Sequence, residues 1–304
     1  MSTQQCPLCS TDEVTLINNI NSNNLKYLYG KMLKAHFSNL FKIDIKYYEC
    51  DECRLKFYSP PITGGENFYN YLQQFSWYYM DEKEEYEIAK KYIEQGMKVL
   101  EVGSGKGAFA KKITPKKYVG LDFSSKAKEM AAENGILIEN QSIEEHACYN
   151  EGEYDVVVSF QVLEHIPDPK NFIESKMKAL KAGGKLIMAV PSENSFLKYV
   201  TNFILNMPPH HVTRWSDDTF HFMAKKYGYR IVEIYHEKIQ PVHKRFYLST
   251  MIQSFFLKPV LIDLSIKRKI VSKISDLLSR ILKNRLCEEM MPNGHTVVVV
   301  MEKQ

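Results

Sequence analysis

From residue 97 onward the chain alternates between two spacings of apolar residues. Short apolar runs near 97–102, 118–122, 136–139, 154–159 and 184–190 read as strands, while 106–113, 124–134 and 169–181 carry helical spacing. Strands that alternate with helices predict an α/β fold around a doubly wound parallel sheet. Met97-Lys-Val-Leu-Glu-Val102 is almost continuously apolar, as a strand buried on both faces should be. Further on, 216–227 reads as a helix ended by Gly228, and 230–235 and 296–301 as strands. Between these two strands, apolar residues recur at Ile266, Ile270, Val271, Ile274, Leu277, Leu278, Ile281, Leu282 and Leu286, with basic residues interleaved. That is one apolar stripe on a basic helical segment. Ahead of the alternating region lie a charged helix near 81–94 and a tyrosine-rich stretch over 68–79, preceded by Pro60-Pro-Ile-Thr-Gly-Gly65, which marks a domain edge. The expected organisation is an N-terminal element over 1–62, a helical lead-in over 63–95 and a core over 96–243. A basic insertion over 244–290 and a C-terminal strand of the core over 291–304 complete it.

The first predicted strand runs into Glu101-Val-Gly-Ser-Gly-Lys-Gly107. Gly103, Gly105 and Gly107 let the backbone turn tightly and approach a ligand without a Cβ in the way. With Ala108 in third place the glycines also satisfy a dinucleotide fingerprint, so spacing alone leaves the cofactor open. The second strand ends at Asp122, at the carboxyl edge where such sheets bind ligands, and an acid there can accept both hydroxyls of a ribose. The alternative is that Asp122 caps the next helix.

Four of six cysteines form Cys6-Pro-Leu-Cys9 and Cys50-Asp-Glu-Cys53, two turns with the spacing of zinc knuckles. Four thiolates around one Zn²⁺ would fold a small ribbon and leave no open catalytic position. Redox-active or unrelated thiols are the alternative. Cys148 and Cys287 read as single thiols, buried or half-buried.

Composition is that of an ordinary globular protein, 44% hydrophobic and 25% charged over 304 residues. The net charge of +4 is uneven, because 251–286 holds eight Lys and Arg against Asp263 and Asp276, a local +6 that leaves the rest near −2. A near-neutral body weighs against a broad nucleic-acid footprint. No window approaches the roughly 18 apolar residues of a membrane span, and the first residues lack a basic segment and an apolar core. A cytoplasmic location is the expectation.

Taken together, Glu101-x-Gly103-x-Gly105-x-Gly107, Asp122, Val162-Leu-Glu-His-Ile-Pro-Asp-Pro169 and Leu180-Lys-Ala-Gly-Gly184 resemble class I S-adenosylmethionine-dependent methyltransferases over about 75–235. The resemblance implies a Rossmann-like, mostly parallel seven-stranded sheet. It implies that Glu101, Gly103, Ser104, Gly105 and Gly107 hold the amino-acid part of the cofactor and Asp122 its ribose, with Phe123 beside the adenine. Many relatives carry an Asp after strand three; here Gln141, Ser142 and Ile143 stand there, so the adenine contact is expected from the Ile143 N–H with help from Ser142. Phe160 and Gln161 should border the methionine end. Glu164 and His165 offer an acid/base pair, although in the family this stretch mostly caps and packs the following helix.

The cysteine pairs followed by Arg54-Leu-Lys-Phe-Tyr-Ser-Pro-Pro61 are similar to the N-terminal zinc ribbon of methyltransferases acting on nucleotide sugars, glycan or lipid-linked intermediates and natural products. Pro208-Pro-His-His-Val-Thr-Arg-Trp215 is similar to the segment of sugar methyltransferases where a His sits over the acceptor. Histidine titrates near neutrality and can take a proton from an acceptor hydroxyl. His211 is the first candidate base and His210 the second; the alternative is that both only cap the next helix. The expected function is methylation, O-methylation favoured, of a sugar, glycan precursor or specialised metabolite.

An RNA methyltransferase competes, since some rRNA enzymes carry a cysteine ribbon ahead of this fold. Against it stand the near-neutral body and Ser159-Phe-Gln-Val162 where an Asn/Asp-Pro-Pro-Tyr/Phe motif would lie. A non-catalytic binding protein would have no need of the glycines and Asp122. For 251–286, packing on the sheet, a lid, a homodimer face and contact with an anionic membrane surface all remain open.

Overall fold

The computed structural model describes residues 4–33, 37–75, 81–285 and 291–304. The expectations for 76–79, Leu286 and Cys287 lie outside the described residues. In chain order the regular elements are β1 (Val14–Ile20), α1 (Ser22–Leu33), β2 (Ile45–Cys50), β3 (Lys56–Ser59), α2 (Glu66–Leu72), α3 (Glu84–Lys90), β4 (Lys98–Val102) and β5 (Lys117–Leu121). There follow α4 (Ser125–Ala132), β6 (Ile138–Glu139), α5 (Ile143–Tyr149), β7 (Tyr154–Phe160), α6 (Pro169–Ala179), β8 (Leu180–Pro191) and β9 (Thr213–Arg214). The chain closes with α7 (Asp217–Tyr227), β10 (Tyr229–Lys238), α8 (Lys244–Phe256), α9 (Ile266–Leu282) and β11 (Asn293–Lys303).

Seven strands form the central sheet in the order β10-β11-β8-β7-β4-β5-β6. The run from β8 to β6 is parallel, and β11 is antiparallel to both of its neighbours. Successive side chains of a strand point to opposite faces, and β11 shows it cleanly. Val297, Val299 and Met301 enter the core beneath α5, α6 and α7, while Val298 and Val300 enter the core with Tyr86, Ile88 and Ala89 of α3. This double burial explains why the strands read as continuous apolar runs.

Two expected helices and the expected burial of one cysteine differ. No α-helix forms over 106–113, where a single 3₁₀ turn at Ala110–Lys112 stands instead. Gly107 adopts φ +75°, which no right-handed helix admits, and a Cβ there would meet Ile136 Cδ1 at 2.8 Å. The charged helix over 81–94 contracts to Glu84–Lys90. Cys148 is exposed rather than buried, its thiol donating to the Glu144 carbonyl at 3.2 Å.

The N-terminal element is not set apart from the core. β1, β2 and β3 form a second sheet completed by β9, with Lys56 opposite Arg214 and Phe57 opposite Thr213. Beyond the 60–65 edge, Gly64 N–H donates to the Pro209 carbonyl at 2.9 Å. Cys6, Cys50, Cys53 and Phe57 share one apolar cluster with Trp215 and the central strands. On the other side of the small sheet, Tyr47 and Tyr58 pack with Leu25 and Tyr29 of α1, Phe68 of α2, and Ile204 and Met207.

The cysteine turns repeat one design. Cys6 N–H donates to the Thr11 carbonyl and Cys50 N–H to the Leu55 carbonyl, and Ser10 and Arg54, next after each pair, take φ +68° and +61°. The four Sγ atoms converge, Cys6 to Cys53 at 3.5 Å and Cys9 to Cys50 at 3.4 Å.

Candidate active site

One cavity of about 1000 Å³ opens at the carboxyl ends of the central strands. Its first half is a backbone cradle. Gly103 and Ser104 both donate N–H to the Leu121 carbonyl, at 2.8 and 3.0 Å, which ties the turn after β4 to the end of β5. Gly103 has φ +76°, and a Cβ there would lie 2.4 Å from Val162 Cγ2, so neither conformation nor space admits a side chain. Asp122 Oδ2 accepts from Gly105 N–H and Oδ1 from Ser124 N–H, both at 2.8 Å. Both readings of Asp122 meet here: it lines the cavity and it also fixes the entry to α4, whose cap is the Ser124 hydroxyl.

Glu101 is fully buried at the end of β4 and accepts from the Tyr118 hydroxyl at 2.5 Å. Burial pushes its carboxyl up to about 8, against the opposing pull of that hydrogen bond. Phe123 is largely exposed at the rim, and Phe160 and Gln161 line the wall. Gln161 holds φ +55° and donates its N–H to the Ala189 carbonyl, and its side-chain amide reaches the Glu85 carboxylate at 3.4 Å. Ser142 and Ile143 are not among the lining residues. Ser142 caps α5 through the Glu145 N–H, and the Ile143 side chain is buried in the apolar core.

The second half of the cavity is a histidine cluster. The loop after β8 brings His210 and His211 against His165, with ring centroids of His165 4.7 and 4.8 Å from the other two. Each ring is fixed through Nδ1: His165 to the His210 carbonyl at 2.5 Å, His210 to the Leu205 carbonyl at 2.9 Å, His211 to Asn206 Oδ1 at 3.0 Å. Carbonyl oxygens only accept, so Nδ1 carries the proton and Nε2 the lone pair. Burial pulls His165 down to about 4, His210 to about 3 and His211 well below its ordinary value. All three are neutral at neutral pH. Glu164 lies beneath them, its carboxylate 3.9 Å from Nε2 of both His165 and His211. Its two carboxylate oxygens have no hydrogen-bond partner among the described residues, and burial pushes the group up to about 8. The three imidazoles alone bring ligand atoms within 4.8 Å of one another, close enough for a cation as well as for proton transfer.

Other wall residues were not anticipated from sequence. Glu85 comes from α3 and Glu237 from the end of β10; burial pushes Glu237 up to about 7, and it accepts from Thr296 N–H at 3.0 Å. β10 runs parallel to β8 through the antiparallel β11, so its carboxyl end falls on the same ligand edge. The edge rule used for Asp122 points to Glu237 once that topology is known.

The family described as "Methyltransferase domain" matches residues 77–234, half of the chain. Two curated relatives are named "Ubiquinone biosynthesis O-methyltransferase". The one from Escherichia coli O7:K1 is 36% identical over 126 residues, 38% of this chain and 52% of that protein. The one from Sodalis glossinidius is 31% identical over 148 residues, 41% and 59% of the two chains. The chain thus spans about half the length of the curated relatives it matches. Among solved structures, a SAM-dependent methyltransferase from Archaeoglobus fulgidus has a TM-score of 0.48 at 16% identity, covering 72% of this chain and 94% of that one. Coclaurine N-methyltransferase bound to N-methylheliamine and SAH has a TM-score of 0.45 at 16% identity, covering 71% and 69%. With the family match spanning half of its length, this chain belongs to the methyltransferase domain family.

Proposed function

We propose that the protein methylates a hydroxyl of an uncharged part of a small molecule, such as a sugar, a glycan or lipid-linked precursor or a specialised metabolite. The observation that carries this reading is the shared cavity: a glycine cradle with two acidic side chains at one end, neutral imidazoles at the other. The cradle fits S-adenosylmethionine, since Gly103 and Gly107 sit at positive φ where a Cβ would collide, and Glu101 and Asp122 stand at its two ends. Gly103, Ser104 and Gly105 with Glu101 would hold the amino-acid part, Asp122 and Phe123 the nucleoside, Phe160 and Gln161 the methionine end. When bound, the cofactor supplies a methyl carbon already activated by its sulfonium. The chain's own residues then have two tasks, alignment of the acceptor and removal of its proton.

His211 is the base we assign. Its Nδ1–H is held by Asn206, so Nε2 meets the acceptor hydroxyl as a lone pair, and the proton released as the oxygen gains the methyl rests there. His210, stacked on it at 4.4 Å between ring centroids, is the second choice. Glu164 faces that proton from below.

The cavity's charges favour an uncharged acceptor group. Glu85, Glu101, Glu164 and Glu237 line it, while its two lysines are engaged, Lys83 with Glu85 at 3.5 Å and Lys106 with Asp81 at 2.7 Å. A polyphosphate backbone such as RNA would find no unengaged lysine there to neutralise it. The four cysteines are assigned to one structural Zn²⁺, because Zn–S bonds of about 2.3 Å put tetrahedral sulfurs about 3.8 Å apart, close to the spacings above. The element over 1–62 is then a zinc ribbon docked on the 96–243 core, with 244–290 an insertion.

The test is calorimetry with S-adenosylmethionine followed by turnover on a panel of nucleotide sugars, lipid-linked sugars and phenols. Binding together with methyl transfer to an oxygen is the expected result. Absence of cofactor binding in zinc-replete protein would sink the cradle assignment, and methylation only at nitrogen or carbon would sink the hydroxyl.

A further inference from the structure

Helix α9 is turned inside out. Its buried residues are Arg268, Ser275 and Ser279, while Ile266, Ile270, Ile274, Leu277 and Ile281, spaced to share one face, are exposed, Ile266 to 74% and Ile281 to 61%. The stripe therefore does not pack on the sheet. Its polar side packs toward α8 instead, where Asp276 pairs with Arg245. Phe255 and Phe256, at the end of α8, are exposed as well, to 85% and 60%. Single exposed leucines need no explanation, but a contiguous helix-long stripe does.

The charges beside the stripe indicate what covers it. Lys269, Lys273 and Arg280 follow one flank of α9 at helical spacing, and Lys267 lies within the apolar arc. Lys267, Lys269, Lys273, Lys283 and Arg285 have no ion-pair partner among the described residues. Two copies of this face laid together would set rows of like charge side by side. An anionic lipid surface takes both features at once: apolar side chains enter the acyl boundary while lysines meet the headgroups. No helix of the described residues is long and apolar enough to cross a membrane. We infer that α9, with the end of α8, docks the protein peripherally on an anionic bilayer. The same α8 supplies Phe246 to the cavity wall, so the docking element and the acceptor site share a helix.

The experiment is vesicle co-flotation of the full chain, and it is independent of methyl transfer. Vesicles of phosphatidylcholine with about one-third phosphatidylglycerol should carry the protein, and pure phosphatidylcholine should not. Replacing Lys267, Lys269 and Lys273 by Gln should weaken binding about a hundredfold, from roughly fivefold per lysine. Ile270→Ser/Ile274→Ser/Leu277→Ser should abolish it, with the melting temperature and cofactor affinity unchanged. Failure to float with either vesicle would overturn the inference. So would a stable dimer in light scattering that this triple variant dissociates, since the stripe would then cover a second copy.

Discussion

In the cradle, Gly103, Ser104 and Gly105 bond to Leu121 and Asp122, at the end of the adjoining strand and 17 or 18 positions away. In the histidine cluster, His165 bonds to a carbonyl 45 positions away, and the segment carrying His210 and His211 is held by the N-terminal sheet through β3 and β9. The cradle is backbone, set by glycine conformations and one parallel strand pair. The cluster is side chains, brought together by packing among three distant parts of the chain. Damage to the two halves should therefore separate cleanly, the first reading out in cofactor affinity and the second in turnover.

The largest expected effect is at His211. His211→Ala should lower kcat by about 10²- to 10⁴-fold, the usual worth of a positioned general base, with the calorimetric affinity for S-adenosylmethionine unchanged. An unaltered kcat on the true acceptor would leave these rings a packing role and end the contrast. Next comes the zinc site. Cys50→Ser, or chelation, should release the metal and loosen β9, so that turnover falls by more than tenfold while cofactor affinity holds; metal analysis and calorimetry on one sample check both. Equal loss of both activities would mean that the ribbon supports the whole body rather than the acceptor side. Gly103→Ala attacks the other half. The positive φ and the 2.4 Å approach to Val162 predict a loss of about 2 to 4 kcal/mol in unfolding free energy and a collapse of cofactor binding.

The same contrast governs what could be read in advance. Glu101, the three glycines and Asp122 were legible because a cradle of backbone and strand ends leaves its mark in contiguous residues. The positions of the core strands along the chain were legible for a similar reason, since burial on both faces shows as unbroken apolar runs. The helix over 106–113 misled, because its spacing looked helical while Gly107 carries a left-handed φ that spacing does not report. Ser142 and Ile143 were placed at the adenine by analogy of position; the Ser142 hydroxyl accepts from the Glu145 N–H, and neither residue lines the cavity. Glu85 and Glu237 stayed hidden, because their place on the cavity wall depends on long-range strand pairing. The stripe on α9 was visible, but periodicity says that one face is apolar without saying which way it points.

The finest separation is in pH dependence. Glu164 titrates at about 8 in the folded chain against an ordinary value of 4.5, so between these values the folded state holds a proton that the unfolded state has lost. Its contribution to stability is complete below 4.5 and is lost as pH rises through 8. The histidines run the other way. His165 and His210, held near 4 and 3, leave the unfolded chain with more protons below 6.5, so stability falls on acidification from 6.5 toward 4. Glu164→Gln keeps the shape and removes only the first trend. In calorimetric melts, the variant should gain steadily on the parent between pH 5 and pH 8, while the histidines' share of the decline below 6.5 is kept in both. A constant offset between the two curves would mean that Glu164 already titrates as an ordinary carboxylate, with water or a cation reaching it, and the dry half of the cavity would have to be redrawn.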